Sequence, residues 1–251
     1  MSAPLFLLED GALSSVEVGD SVALDGPEGH HAVTVARMQA GQSILLADGS
    51  GALVACRIAE TGRGSLSATI DSITMNPAPE PRFTLIQALA KGDRDLLAAE
   101  VGTELGVDEV LPWEADRSIV RWRGERAEKA QRKWQNTLVA ATKQARRARV
   151  PVLGEVADRS AVAHRIAAAD LAFVLHESAG SALSAVQPEE LPTHGEIVLI
   201  VGPEGGISED ELAEFTGAGA RAVLLGSTVL RTSTAGSAAI AVLSSLDRWR
   251  A

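Results

Sequence analysis

Between Ser21 and Ile73 short apolar stretches alternate with glycine-bearing turns. SVALDG, HAVTVARM, QSILLADG, ALVACRIAE and LSATIDSI are separated by GPEGH, QAGQ, DGSG and TGRG. Apolar and polar residues alternate with period two in SVALD and HAVTV, the mark of half-buried strands. Strands at this spacing with glycine turns predict a small β-barrel over residues 1–75. MNPAPEPR, Met75 to Arg82, then brings three prolines. Proline lacks the N–H that a central strand or helix interior needs, so 76–82 reads as a linker.

From residue 83 to 251 the pattern changes. FTLIQALA is an apolar strand, and KGDRDLLAAEVGTELG is helical, with Asp93 near its start and Gly106 at its end. VDEVLPW is a short strand. RGERAEKAQRKWQNTLVAATKQARRA is a long helix in which Trp134, Leu138 and Ala141 share one face. DLAFVLHE and GEIVLIVG read as strands buried on both sides, and RAVLLG as another. ISEDELAEFTGAG is a helix with Ser208 as N-cap and Glu211 three residues later, a capping box. STAGSAAIAVLSSLDRW closes the chain as a helix whose apolar face suits a core or an interface equally. Strands alternating with helices predict an α/β domain with a mostly parallel sheet.

Composition narrows the setting. Hydrophobic residues make up 46% of the 251 but aromatics only 3%, with no tyrosine, so the cores must be aliphatic. A single cysteine, Cys56, excludes an internal disulfide and reads as a small buried hydrophobe in a reduced, cytoplasmic setting. The opening residues lack the basic start and apolar run of a signal peptide, and no stretch approaches a membrane helix. Net charge is −10, yet 117–150 holds eleven basic residues against Glu125 and Glu128. That local excess of nine positive charges is a footprint for a polyanion. His30 and His31 point to opposite faces of a strand, so no metal site is expected.

Three strand ends run into small or polar residues: FVLHESAGSA, IVLIVGPEGGIS and AVLLGSTVLRTSTAGSAA. In open parallel sheets ligands bind beyond the carboxyl ends of strands, so the three ends predict one pocket. GPEGG is neither GxGxxG nor a GxxxxGK[ST] loop, and Glu204 would repel a phosphate at the following helix N-terminus. Small residues in such a turn leave room for backbone contacts to a ligand such as adenine. A tight strand-to-helix turn shaped by Pro203 accounts for the same spacing.

VGPEGGIS at 201–208, together with LGSTVLRTSTA at 225–235, resembles the signature of the RsmE-type 16S ribosomal RNA methyltransferases. QALAK at 87–91, ELGVDEVLPW at 104–113, ATKQARRARVP at 141–151 and HHAVTVARMQAGQSILLADGSG from His30 are similar too. The resemblance spans nearly the whole chain. It implies a SPOUT methyltransferase domain with a C-terminal trefoil knot, preceded by a PUA-like β-barrel that binds RNA. It further implies a homodimer that uses S-adenosyl-L-methionine to methylate N3 of a uridine in 16S rRNA of the small ribosomal subunit. Where the family has Pro-Arg and Glu in its second motif, Ser227-Thr228 and Ser233 stand here.

Carried onto this chain, the cofactor pocket has three walls. Leu175, His176 and Glu177 form the first, and Gly202, Glu204 and Gly205 the second. Leu225, Gly226, Val229, Leu230, Arg231, Thr232 and Ala235 form the third. Arg231 is the expected catalytic cation, with Glu204 beside it as a candidate catalytic group. Arg37, Arg117, Arg121, Arg123, Lys143, Arg146 and Arg147 are the expected RNA contacts. A SPOUT enzyme for another rRNA or tRNA nucleotide, or a non-catalytic ribosome-assembly factor, would share much of this pattern.

Overall fold

A computed structural model describes residues 3–250. Met1, Ser2 and Ala251, the outermost residues of the two expected domains, lie outside the described residues. The chain forms two compact units: residues 1–78 with 142–150, and residues 79–141 with 151–251.

The first unit carries a five-stranded sheet in the order β1-β3-β4-β5-β2. Its strands are β1 (Leu5–Leu7), β2 (Ser21–Leu24), β3 (Ser43–Ala47), β4 (Ala52–Thr61) and β5 (Leu66–Met75). β1 runs parallel to β3, and the remaining pairs are antiparallel. Alternate residues of β4 (Val54, Cys56, Ile58) and β5 (Leu66, Ala68, Ile70) fill an aliphatic core with Phe6, Leu24 and Ile44. HAVTV, expected as a strand, is instead helical. The helix α1 (Gly26–His30) runs into a π-helical turn over His31–Val35. Its β-branched residues favour a strand locally, but a Cβ at Gly29 would sit 2.5 Å from the Leu24 carbonyl oxygen. Close packing at that point turns the chain, and Ala32 rather than a strand face enters the core.

The second unit is built on a six-stranded, wholly parallel sheet in the order β11-β9-β10-β6-β7-β8. Its strands are β6 (Arg82–Ala88), β7 (Glu109–Trp113), β8 (Val152–Leu153), β9 (Leu171–Leu175), β10 (Glu196–Val201) and β11 (Arg221–Val223). The helices are α2 (Arg94–Glu104), α3 (Glu125–Ala145), α4 (Arg159–Ala168), α5 (Glu209–Gly217) and α6 (Thr232–Leu246). The C-terminal residues of α3, from Thr142, belong to the first unit. The long helix stops at Ala145 because Arg146 takes a left-handed conformation, φ 55°, and Arg147 N–H closes back on Thr142 O at 3.0 Å. Trp134 and Leu138 are buried, Trp134 edge-on to Trp122.

α6 lies on the sheet through Gly236, where a Cβ would meet Leu85 Cδ1 at 2.7 Å. Its apolar residues Ala239, Ile240 and Leu243 are buried within the unit. Past its end Arg248 covers the Phe83 ring at 3.8 Å and pairs with Asp108 at 2.6 Å. This docking sets the start of α6, and hence Arg231 and Thr232, beside the end of β10.

The opposite edge of the sheet is sealed by charge. Arg165 of α4 bonds Glu196 through Nε at 2.9 Å and Glu109 through Nη2 at 2.5 Å. Glu196 also accepts from Thr84 Oγ1 and from a second Arg165 nitrogen. One guanidinium thus ties β6, β7 and β10 to α4, and the Glu196 hydrogen bond and the nearby carboxylates raise its pKa against the lowering effect of burial. Removing it strands two mostly buried carboxylates. Arg165→Met is expected to cost about 3 kcal/mol in urea unfolding, and adding Glu196→Gln to recover part of that loss.

Candidate functional site

β9, β10 and β11 end on the same edge of the sheet, because all three run parallel. Their following loops enclose a cavity of about 450 Å³. Leu175, His176 and Glu177 line it from β9, Val201 to Ile207 from β10, and Val229 to Thr232 with Ala235 from the α6 side. A smaller hollow of about 120 Å³ adjoins it, lined by Leu225, Gly226, Ser227 and Thr228 and sharing Leu175, His176, Glu177, Val229, Leu230 and Ala235. Every residue expected at the pocket therefore lies at one of two adjoining hollows.

The Gly202–Ser208 turn is shaped by its own packing. Gly206, at φ 74°, closes a turn by donating to Pro203 O at 2.9 Å. A Cβ on Gly202 would stand 2.7 Å from Ile207 Cγ1, and one on Gly205 would stand 3.0 Å from Arg117 Cβ. The space these two glycines leave is filled by Ile207 and Arg117, not kept open for a ligand. The capping box forms: Ser208 Oγ accepts from Glu211 N at 3.2 Å, and Ser208 N donates to Glu211 Oε2 at 2.8 Å. Gln87 Nε2 donates to Thr232 Oγ1 at 2.8 Å, which in turn donates to Gly202 O at 2.7 Å. The chain of bonds joins β6 to the second and third walls.

Glu204 points to Arg94, 2.9 Å away, and accepts from Lys91 N–H at 3.1 Å. Partial burial alone would raise its pKa. Hydrogen bonds from its own N–H, Lys91 and Arg94 outweigh that and hold it below the ordinary glutamate value. A carboxylate held so is a weaker proton acceptor than a free one. Nothing local in the sequence marks Arg94 for this contact, since Glu204 lies 110 residues away. Asp95 beside it is buried and caps the loop by accepting from Ala90 N at 3.0 Å.

His176 Nδ1 accepts the Ser178 backbone N–H at 3.3 Å. Ser178 Oγ stands 2.8 Å from the same nitrogen, so Ser178 holds the ring in place. Arg231 is exposed and its guanidinium has no partner among the described residues, and neither has the Glu177 carboxylate. No group of three or more His, Cys, Asp or Glu placed to hold a metal occurs among the described residues, nor any helix long and apolar enough to cross a membrane.

The expected RNA contacts divide between the units. Arg37, Lys143, Arg146 and Arg147 lie in the first, Arg117, Arg121 and Arg123 in the second. Lys143 pairs with Glu28 at 2.5 Å. Arg121 donates to Ala115 O at 2.7 Å and Arg123 to Glu114 at 2.7 Å, both folding back on their own segment. Arg117 donates to Gly205 O at 3.1 Å.

A family model described as an RNA methyltransferase domain matches residues 77–244, and one described as an RNA methyltransferase PUA domain matches 24–71. The chain is 40% identical over 240 residues to the ribosomal RNA small subunit methyltransferase E of Mycobacterium bovis, covering 94% of this chain and 90% of that protein. The chain belongs to the ribosomal RNA small subunit methyltransferase E family. It is also similar to the Bacillus subtilis methyltransferase E, at 28% identity over 91% of each chain. Among solved structures, the methyltransferase E of Neisseria gonorrhoeae bound to S-adenosyl methionine shares 28% identity and a TM-score of 0.83, over 98% of each chain. In this methyltransferase E family member the cavity therefore sits in the matched RNA methyltransferase domain.

Because its pKa is lowered, the Glu204–Arg94 contact is complete above the ordinary glutamate pKa and is lost only as pH falls through the lowered value. Glu204→Gln is accordingly expected to keep the shape of the pH–rate profile from about pH 6 to 9 while weakening cofactor binding a few-fold. Rate measurements across that range check it.

Proposed function

We propose that this chain transfers a methyl group from S-adenosyl-L-methionine to N3 of a uridine in 16S rRNA of the small ribosomal subunit. The observation that carries the reading is the cavity at the ends of β9, β10 and β11, within a chain of the ribosomal RNA small subunit methyltransferase E family. The lining suits the cofactor. Leu175, Val201, Ile207, Val229 and Leu230 offer apolar surface for a neutral adenosine, and about 450 Å³ falls within the usual range for ligand pockets. The Ile207 N–H and Gly206 carbonyl, both at the cavity, have no partner among the described residues. Ile207 is only 4% exposed, and a buried N–H left so costs about 1–3 kcal/mol, so a ligand acceptor is the fitting complement. Glu204, already satisfied by Arg94, marks the loop as unsuited to a triphosphate.

When bound, S-adenosyl-L-methionine supplies an electrophilic methyl group. The chain's own residues must hold the base in line and deal with the proton on N3. Arg231, a permanent cation without an internal partner, stabilises the negative charge that develops on the uracil ring. Glu177, the pocket carboxylate not tied into an ion pair, accepts the N3 proton. His176, held by Ser178, lines the first wall, and Gln87 and Thr232 hold the second and third walls together.

Finer features follow from the same reading. The second unit is a SPOUT domain whose C-terminal segment threads a trefoil knot, and the enzyme works in the cytoplasm as a homodimer. The first unit is a PUA-like barrel, and its Arg37, Lys143, Arg146 and Arg147 meet the rRNA backbone. Residues 76–82 link the two domains.

Purified small subunits incubated with labelled cofactor are expected to yield 3-methyluridine on nucleoside analysis; a different methylated nucleoside, or label only in tRNA, would sink the assignment. Arg231→Ala should lower kcat about a hundredfold while leaving S-adenosylhomocysteine affinity within about twofold. Unchanged kcat would remove Arg231 from the chemistry. Binding of a 16S fragment should weaken steeply with salt, and Arg146→Ala should make the log–log slope shallower by about one.

A further inference from the structure

The outer side of the Gly202–Ser208 turn is covered by the segment that follows β7. Asp116 N–H donates to Glu211 Oε1 at 2.6 Å, and Ser208 Oγ donates to Asp116 Oδ2 at 2.9 Å. Arg117 donates through one nitrogen, Nη1, to Gly205 O at 3.1 Å and Ile207 O at 3.4 Å. Its stem lies against Gly205, where a Cβ would be 3.0 Å from Arg117 Cβ and 3.7 Å from its Cδ. An arginine from the most basic part of the sequence is thus spent on two carbonyls of the turn.

The consequence is clearest peptide by peptide. The Gly205–Gly206 peptide is tied at both ends, its oxygen by Arg117 and its N–H by Pro203 O at 2.9 Å. The Ile207–Ser208 peptide is tied likewise, its oxygen by Arg117 and its N–H by Glu211 Oε2 at 2.8 Å. Between them the Gly206–Ile207 peptide has neither end paired among the described residues, although Ile207 is only 4% exposed. Buried N–H groups are almost always paired, so the Ile207 N–H, on a residue that lines the cavity, is a donor left for a ligand. Two pinned neighbours leave that peptide no freedom to rotate.

We infer that Arg117 is a positioning residue of the methyl-donor pocket: it fixes the Gly205–Gly206 and Ile207–Ser208 peptides so that the Gly206–Ile207 peptide is presented to the cofactor. It is not a contact to RNA. The inference rests on the pocket being the S-adenosyl-L-methionine site. A guanidinium can bond two carbonyls in fixed directions, whereas an ammonium is a single point of charge, so lysine should replace it only in part.

The test is calorimetric titration of S-adenosylhomocysteine into the full chain and into Arg117→Ala and Arg117→Lys, beside thermal melts and binding of a 16S fragment across a salt series. Affinity for S-adenosylhomocysteine is expected to fall about tenfold in Arg117→Ala and less in Arg117→Lys. Melting temperature, RNA affinity and the salt slope should stay essentially unchanged. Unaltered cofactor affinity in Arg117→Ala would overturn the inference, as would a salt slope shallower by about one with cofactor binding intact. If Arg117→Ala melts early, Arg117→Lys decides: weaker cofactor binding with an unchanged melt supports positioning, and full binding overturns it. A wild-type chain that fails to bind S-adenosylhomocysteine would overturn the pocket reading itself, before any variant is compared.

Discussion

Strand β10 can exist only where both of its faces and both of its edges are covered. All six residues, Glu196 to Val201, are buried, and its edges are taken by β6 and β9 in parallel register. Val201 stands opposite Gln87, and Ile200 opposite Val174, so the three strands stop at nearly the same level. Parallel strands that stop together must send their loops to one edge. The pocket is the result of that constraint: the His176, Gly202 and Arg231 loops have no other place to go. At the opposite edge the single charged residue of β10, Glu196, is tolerated because Arg165 and Thr84 satisfy it.

Arginine does two kinds of work in this molecule, and local charge density does not separate them. Arg94, Arg117 and Arg165 each satisfy acceptors that the fold leaves over: the Glu204 carboxylate, the carbonyls of a glycine turn, and a pair of half-sealed glutamates. Arg231 has no such internal partner and stands exposed at the cavity mouth. The difference lies in what surrounds each side chain, since a guanidinium folded onto carbonyl oxygens has spent donors that a phosphate would otherwise use. The basic run from Arg117 to Arg149 is therefore partly a set of internal braces.

Much of the second unit was legible because its strands are long, apolar and bounded by turns. The capping box at Ser208 and Glu211 could be read directly, since its spacing and chemistry are local. Trp134 is core because its neighbours at helical spacing are apolar. HAVTV misled because its β-branched alternation is a weak local preference, overridden where Gly29 packs against Leu24 and Gly64. β1, with three residues, was too short to give a periodic signal, and it pairs with a strand far along the chain. The helix α4 over Arg159–Ala168 has a mixed pattern that no single apolar face announces.

The sequence by itself determined the alternation of strand and helix, the aliphatic cores and the two motifs that meet at the cavity. Those depend on periodicity and on residues within a few positions of one another. Only the tertiary structure decided what the glycines of VGPEGGIS are for and which arginine touches what. Gly202 and Gly205 are needed because Ile207 and Arg117 press against them, and Arg117 is 88 residues before the carbonyl it holds. Glu204 turns to Arg94, 110 residues away, which makes it a fastening of the loop rather than a free carboxylate. Contacts across such distances leave no period in the chain, because the folded sheet, not the spacing of residues, brings their partners together.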